Sequence, residues 1–134
     1  MEKLPNNEFV QFKDLGGILY CRFKAGRTLN LAAAEKIVRD RIIWQNGIAY
    51  PILCDIRAVR NADMQTRDFF IDQGSHLIIA LTFLISNDLN YSMFKYYASS
   101  LKIEIPIKVY YDKEEAMASL SEYLRTGTPP NPTP

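Results

Sequence analysis

Asp55 ends an unbroken apolar run that begins at Ile52, and Arg57, Arg60 and Asn61 follow it closely. An aspartate at the end of a buried strand can accept a phosphoryl group. Guanidinium groups just before a helix can bind an anion together with the free N–H groups of its first turn. These residues therefore indicate where chemistry would take place if the protein performs any.

Phosphoryl transfer to Asp55 would also require Mg²⁺, held by acidic side chains on an earlier loop, and a lysine at the end of a later strand. The earlier loop is Lys24-Ala25-Gly26-Arg27, which is basic, and the last strand runs into Tyr110-Tyr111-Asp112. We therefore interpret Asp55 as a structural carboxylate that accepts backbone N–H groups or pairs with Arg57 or Arg60.

Other catalytic constellations are missing from the sequence. His76 is the single histidine, and we expect it to be a packed or hydrogen-bonded structural side chain rather than a catalytic one. No cluster of His, Cys, Asp and Glu has metal-ligand spacing, and Gly16-Gly17 is typical of a hairpin turn rather than of a phosphate-binding loop. We predict a protein that is not an enzyme and that needs no cofactor and no metal.

Composition limits the class of protein further. The chain has 134 residues and a formal net charge of +1, which does not favour nucleic acid as a partner. Arg39-Asp40-Arg41 carries its own counter-charge and is interpreted as a solvated helix face. The longest apolar run, 77–85, is too short to span a bilayer, and residues 1–7 lack the apolar core of a signal peptide. We expect a cytoplasmic protein.

The cysteines are consistent with that compartment. Cys21 and Cys54 both lie in apolar, strand-like segments. We expect two buried free thiols, as in reducing compartments. A disulfide stays open as an alternative if the two strands are neighbours with suitable geometry.

Hydrophobic periodicity and turn residues predict an α/β fold that opens with a β-hairpin and then alternates helices and strands. The central sheet is expected to be mostly parallel, with helices packed on it. Residues 1–125 form one predicted domain, and the proline-rich segment 126–134 is a predicted disordered tail. The predicted strands are 8–12, 18–23, 50–56, 78–85 and 107–111, and the predicted helices begin after Asn30, near Met64, near Leu89 and after Asp112.

This order of elements resembles a STAS domain, the SpoIIAA-like fold of anti-sigma-factor antagonists, which is itself similar to the Sec14 fold. The resemblance rests on the hairpin, the strand ending in Asp55, the helix containing 67–75, and the strand-to-helix turn 109–116. The family's regulatory Asp-Ser-Ser-Gly turn corresponds to Asp63-Met64-Gln65-Thr66. Asp63 matches, but the phosphoacceptor serine is absent, so the resemblance does not imply a kinase-controlled switch.

The resemblance and the lack of catalytic groups favour a non-enzymatic protein-interaction or regulatory module. It would act through the loop and helix after the central strand, on a protein partner or on a second copy of the chain as a homodimer. The candidate binding residues are Arg57, Arg60, Asn61, Asp63, Met64, Gln65, Thr66, Phe69 and Phe70.

Two alternatives remain open. A carrier or sensor of a small apolar or lipid-like ligand is suggested by aromatic residues on and around the third helix, although aromatic residues at helical spacing also build ordinary cores. An enzyme or nucleotide-binding domain has no motif in its support. The aromatic residues concerned are Phe69, Phe70, Phe83, Tyr91, Phe94, Tyr96 and Tyr97.

Overall fold

The protein, described here by a computed structural model for residues 7–127, has the predicted order of elements. Each predicted strand and helix is present, with ends that differ from the prediction by a few residues. The elements are β1 (Val10–Leu15), β2 (Ile18–Phe23), α1 (Leu31–Gln45), β3 (Tyr50–Asp55), α2 (Met64–Gln73), β4 (Ile78–Leu84), α3 (Asp88–Ser100), β5 (Ile107–Tyr110) and α4 (Lys113–Thr126).

The five strands form one mixed sheet in the order β1-β2-β3-β4-β5. β1 is antiparallel to β2, and the other neighbouring pairs are parallel. Gly16 and Gly17 connect the antiparallel pair with φ values of 66° and 95°. Two successive positive φ values match the twist of a hairpin, and glycine adopts them without steric cost.

Side-chain caps fix where each helix begins. Asn30, Asp63, Asn87 and Asp112 precede the four helices, and each accepts a hydrogen bond from the backbone N–H three residues later. These contacts satisfy N–H groups that have no partner inside the helix. Local sequence alone therefore accounts for the helix starts.

Helix α2 ends at Gln73, directly before a glycine. Gly74 is its C-cap, and a Cβ atom there would lie 2.4 Å from the carbonyl oxygen of Phe70. The following turn brings Leu77 to φ 64°, a conformation that cannot continue a right-handed helix. The chain then enters β4 at Ile78.

Helices cover both faces of the sheet, in unequal numbers. Because neighbouring parallel strands are joined by right-handed crossovers, α1, α2 and α3 lie on one face. Ile37, Phe70 and Tyr97 pack there against strand residues such as Leu81. On the opposite face, α4 packs Ala116 and Leu120 against Leu53 and Leu84.

The predictions for His76 and for the segment 126–134 are the next to compare with the structure. His76 is exposed, so its assignment as a packed structural side chain was wrong. The predicted tail lies outside the described residues, except for Thr126 and Gly127, which close α4. Within residues 7–127, no helix combines the length and the apolar character needed to cross a membrane.

Candidate functional site

A cavity of about 120 Å³ lies between the sheet and the layer formed by α1, α2 and α3. Its floor consists of strand side chains that point to this face, and its roof comes from the three helices. Floor residues include Phe12, Cys21, Ile52, Cys54, Leu81 and Phe83.

Aromatic rings hold two of the roof helices over the floor. Phe83 packs edge-on against Tyr97 of α3, with ring centroids 5.4 Å apart, and against Phe94 at 5.5 Å. Phe70 of α2 meets Phe23 in the same way at 6.2 Å. These large, rigid rings set the separation between the layers, and the space between them is not filled by other side chains of the described chain.

Two arginines line this otherwise apolar cavity. Arg41 is buried, with 5% of its surface exposed, and its Nη2 donates to the carbonyl oxygen of Gly74 at 2.9 Å. Its Nη1 donates to Gln45. No ion pair formed within residues 7–127 includes Arg41 or Arg67, the second arginine. A buried guanidinium without a counter-ion is unusual because removing a charge from water is costly.

Arg67, which is half-buried, also borders this space. Its guanidinium lies 5.1 Å from the centroid of the Tyr96 ring, and its buried Nε has no hydrogen-bond partner among the described residues. The Tyr96 hydroxyl donates instead to Asp68 at 2.6 Å. A guanidinium stacked on an aromatic ring is held in a defined plane, so Arg67 contributes to the packing of α2 against α3.

The remaining titratable groups of the cavity are neutral at pH 7. Burial raises the pKa of Cys21 and of Tyr97 to about 12, and it raises the pKa of Cys54 well above its ordinary value. Burial also lowers the pKa of Arg41, yet an arginine stays protonated in proteins. The cavity is therefore apolar with a positive charge in its wall.

Cys21 and Cys54 are direct register partners on β2 and β3, so the strands are neighbours. Both are free thiols, as expected; Cys21 is buried, whereas Cys54 is only half-buried by its exposed surface. Their raised pKa values remove the thiolate that nucleophilic chemistry would require. Neither cysteine is suited to act as a nucleophile in this environment.

Asp55 has a structural role on the other face of the sheet. Its buried carboxylate accepts hydrogen bonds from the Tyr20 hydroxyl at 2.6 Å and from Arg57 Nη2 at 2.8 Å and Nε at 3.0 Å. Burial by itself raises the pKa of Asp55, but the Arg57 and Tyr20 hydrogen bonds outweigh it, and the net pKa is lowered. The predicted pairing with Arg57 is confirmed.

The nine candidate residues fall into two groups. Arg57, Arg60, Asn61, Asp63, Met64 and Gln65 are exposed on the loop after β3 and the first turn of α2. Of the other three, Thr66 is fully buried, Phe70 lines the cavity, and Phe69 is half-buried with its ring edge-on to Phe70. The structure therefore does not bring all nine together on one surface.

Asn90 joins that loop to the start of α3. It is fully buried, its Nδ2 donates to the carbonyl oxygen of Val59 at 3.2 Å, and its Oδ1 accepts the backbone N–H of Ser86 at 3.1 Å. Ser86 Oγ also lies 3.5 Å from the carbonyl oxygen of Arg57. The loop is thus fixed in one conformation at the carboxyl edge of the sheet, where α/β proteins commonly bind their ligands.

A family model described as a domain of unknown function, DUF7793, matches residues 12–124. The chain belongs to DUF7793. No curated protein matches this DUF7793 chain. Among solved structures, it is similar to an uncharacterized DUF3478 protein with a SpoIIAA-like fold from Shewanella loihica PV-4, at 16% sequence identity and a TM-score of 0.60.

The similarity covers 83% of the DUF7793 chain and 91% of the Shewanella chain. At this identity the likeness concerns the fold alone, and it confirms the predicted SpoIIAA-like α/β architecture. Within residues 7–127 of the DUF7793 domain, no cluster of His, Cys, Asp and Glu side chains could hold a metal ion.

Sequence reasoning missed the two arginines of the DUF7793 cavity. Arg41 was interpreted as part of a solvated helix face, and that interpretation was wrong because its side chain is buried. A signal was present: Ala34, Val38, Arg41 and Gln45 follow helical spacing and are all buried. For Arg67 no comparable pattern exists, since it lies in a run of half-buried residues, 67–70, in which no single helix face is buried.

Proposed function

We propose that this domain is a non-enzymatic binding domain and that the cavity under α1, α2 and α3 holds a small apolar ligand. The observation that carries the proposal is the cavity itself, because protein interiors are normally packed without voids of this size. At about 24 cal/mol per Å³, an empty space of about 120 Å³ costs about 3 kcal/mol of stability. A ligand that fills the space recovers part of that cost.

Small neutral probes test this proposal. We expect toluene and benzamide to raise the midpoint of thermal unfolding in a concentration-dependent manner, as any ligand that binds only the folded state does. Substituting Cys54→Leu places extra carbon atoms into the cavity and should abolish the effect without loss of stability.

Leu53→Phe is the matched control. Leu53 is adjacent in sequence and fully buried, but it belongs to the opposite face, where the packing leaves no room for a larger side chain. We expect this variant to lose about 1–3 kcal/mol through overpacking and to keep its response to the probes. If neither toluene nor benzamide stabilises the wild-type protein, the cavity is not a binding site.

A second candidate function, protein interaction, is favoured by the rigid loop after β3. Met64 and Leu89 are 52% and 46% exposed, and the Asn90 hydrogen bonds hold the elements that carry them. A fixed surface loses less conformational entropy on binding than a mobile one. The partner would be another protein or a second copy of this chain, in a cytoplasmic setting that the free thiols of Cys21 and Cys54 support.

Light scattering over a range of protein concentrations tests self-association. We expect a concentration-dependent dimer that dissociates when Met64→Asp places a charge on the surface, whereas the exposed Ile43→Asp on α1 leaves it intact. A monomer at all concentrations excludes the homodimer. If the chain is a monomer, the partner is another protein, and Met64→Asp should reduce the amount of that protein that co-purifies with the chain. If Met64→Asp leaves this amount unchanged, the surface is not the interface.

A further inference from the structure

We propose that the ligand of the cavity is a neutral aromatic ring that lies over β3, between two pairs of aromatic side chains. This inference rests on the proposed function and adds the chemical class of the ligand. It follows from the rings and sulfur atoms that line the cavity and from the almost entirely apolar character of its wall.

On each side of β3, a pair of aromatic rings joins the floor of the cavity to its roof. Phe23 of β2 packs edge-on against Phe70 of α2, with ring centroids 6.2 Å apart. Phe83 of β4 packs in the same way against Tyr97 of α3 at 5.4 Å. All four side chains line the cavity, and β3 lies between β2 and β4 in the sheet. The space over β3 is therefore bordered by rings on two sides.

The spacing of the two pairs suits one further ring. Phe83 is the register partner of Cys54 on β3, and Phe23 lies two residues after Cys21, the partner of Cys54 on β2. Two interstrand spacings and two residues of strand rise place the positions of Phe23 and Phe83 about 12 Å apart. A ring midway between them would have its centroid about 6 Å from each, which is within the range over which aromatic pairs interact.

Sulfur atoms add to this preference. Cys21 and Cys54 lie on the floor, and Met93 of α3 lines the same space. Both thiols stay protonated because burial raises their pKa values. Polarizable sulfur makes favourable contacts with aromatic rings, so this wall favours a ring over a saturated ligand of similar size.

The wall disfavours a charged ligand. Arg41 lines the cavity, but its Nη1 and Nη2 already donate to Gln45 and to the carbonyl oxygen of Gly74. A carboxylate would lose its hydration without gaining either donor, and an ammonium group would be repelled by the guanidinium. A neutral ring avoids both costs, and its π face is attracted to a nearby cation.

Cavity volume limits the ligand to a single ring. A dry protein cavity of about 150 Å³ accommodates benzene, and the space here is slightly smaller, at about 120 Å³. A fused two-ring compound or a long acyl chain would not fit within this volume.

Toluene and methylcyclohexane form a matched pair of probes, since both are neutral and have the same carbon skeleton, but only toluene is aromatic. Headspace gas chromatography over solutions of the full chain measures how much of each compound is bound. Because the saturated compound leaves water more readily, each affinity is divided by the partition coefficient of the compound between hexadecane and water. The corrected affinity for toluene should be about fivefold higher, the ratio expected from one or two ring–ring contacts.

Substitution of the bordering rings tests their role. Phe83→Leu removes the ring that packs against Tyr97 and should reduce the corrected preference for toluene to less than about twofold. Phe70→Leu, at a half-buried position in the other pair, should have the same effect. Tyr123→Leu is the matched control, because it removes a half-buried ring that packs on the opposite face of the sheet, and it should keep the preference.

Equal corrected affinities of the wild-type protein for toluene and methylcyclohexane would overturn the assignment of an aromatic ligand and leave the apolar site standing. Benzoate should bind at least about tenfold more weakly than toluene, since its charge would be buried without a partner. Equal binding of benzoate and toluene would overturn the assignment of a neutral ligand. Binding of neither toluene, methylcyclohexane nor benzamide would remove the proposed function as well.

Discussion

Asp55 illustrates how a buried charge is stabilised by its immediate neighbours. It is 2% exposed, and Arg57 binds it through both Nε and Nη2 while the Tyr20 hydroxyl donates to Oδ2. Lys113 lies 4.3 Å from the centre of the Tyr20 ring, which places the start of α4 over this group. The cluster therefore ties the end of β3 to β2 and α4.

Removing the Tyr20 hydroxyl should destabilise the fold. Tyr20→Phe keeps the ring but deletes the 2.6 Å hydrogen bond to a buried carboxylate. Hydrogen bonds to charged groups contribute about 1.5–3 kcal/mol, and we expect a loss in that range in urea unfolding. Tyr111→Phe removes a hydroxyl from an exposed tyrosine and should change the free energy of unfolding by less than about 0.5 kcal/mol.

The lowered pKa of Asp55 makes stability depend on pH in the acid range. Because the folded state binds the proton less readily than the unfolded state, this contribution is fully present above the unfolded pKa of about 3.9 and is lost as the pH falls through the folded value. Urea unfolding measured from pH 6 to pH 2 should show a decline below about pH 4. In Asp55→Asn the decline should be shallower, and an unchanged slope would contradict this assignment.

At the level of elements, α1 fixes the turn between α2 and β4. Leu77 has φ 64°, which costs a non-glycine residue about 1–2 kcal/mol. Its carbonyl oxygen accepts hydrogen bonds from Gln45 Nε2 at 2.9 Å and from the backbone N–H of Tyr50 at 3.1 Å. Arg41 binds Gly74 at the start of the same turn. Polar side chains on the buried face of α1 therefore hold a strained connection.

Gly74→Ala should be destabilising, although glycine to alanine near a helix end usually helps. The added Cβ would approach the carbonyl oxygen of Phe70 to 2.4 Å, and this atom is backbone that cannot move without displacing α2. We expect a loss of about 1–3 kcal/mol in chemical denaturation. Gln73→Ala, one residue earlier and exposed, should be nearly neutral, and an equally neutral result for Gly74→Ala would contradict the predicted steric conflict.

Much of this architecture could be predicted from local sequence. The caps at Asn30 and Asp112 and the Gly16-Gly17 turn depend on residues close in the chain, and they are where the sequence placed them. Glycine is unfavourable inside a helix, so Gly74 marks a point where α2 can end, but its close approach to Phe70 appears only when the turn is built. The cavity could not be predicted, since its volume depends on how completely side chains from separate elements fill the space between the sheet and the helices.

For the whole molecule, the two faces of the sheet differ in packing. On the α4 face, Leu53, Leu84 and Leu120 are fully buried, whereas Met93 and Tyr97 on the other face are only half-buried beside the cavity. A void is therefore found beside the half-buried side chains of α3 and not beside the fully buried ones under α4.

Truncations on the two faces should therefore differ in cost. Leu120→Ala creates a new void in a fully packed region and should lower the free energy of unfolding by about 2–5 kcal/mol. Met93 already lines the cavity, so Met93→Ala enlarges an existing space and removes fewer packing contacts. We expect it to lower the free energy of unfolding by less than about 1.5 kcal/mol. Equal losses measured by urea unfolding would show that the faces are packed alike.

Strand order has a consequence for synthesis on the ribosome. Since the strands lie in the sheet in the same order as in the chain, each newly translated strand can be added to the edge of those already made. The side of the sheet that carries Leu53 and Leu84, however, stays uncovered until α4 has emerged. Until then the nascent chain exposes this apolar surface, to which chaperones can bind.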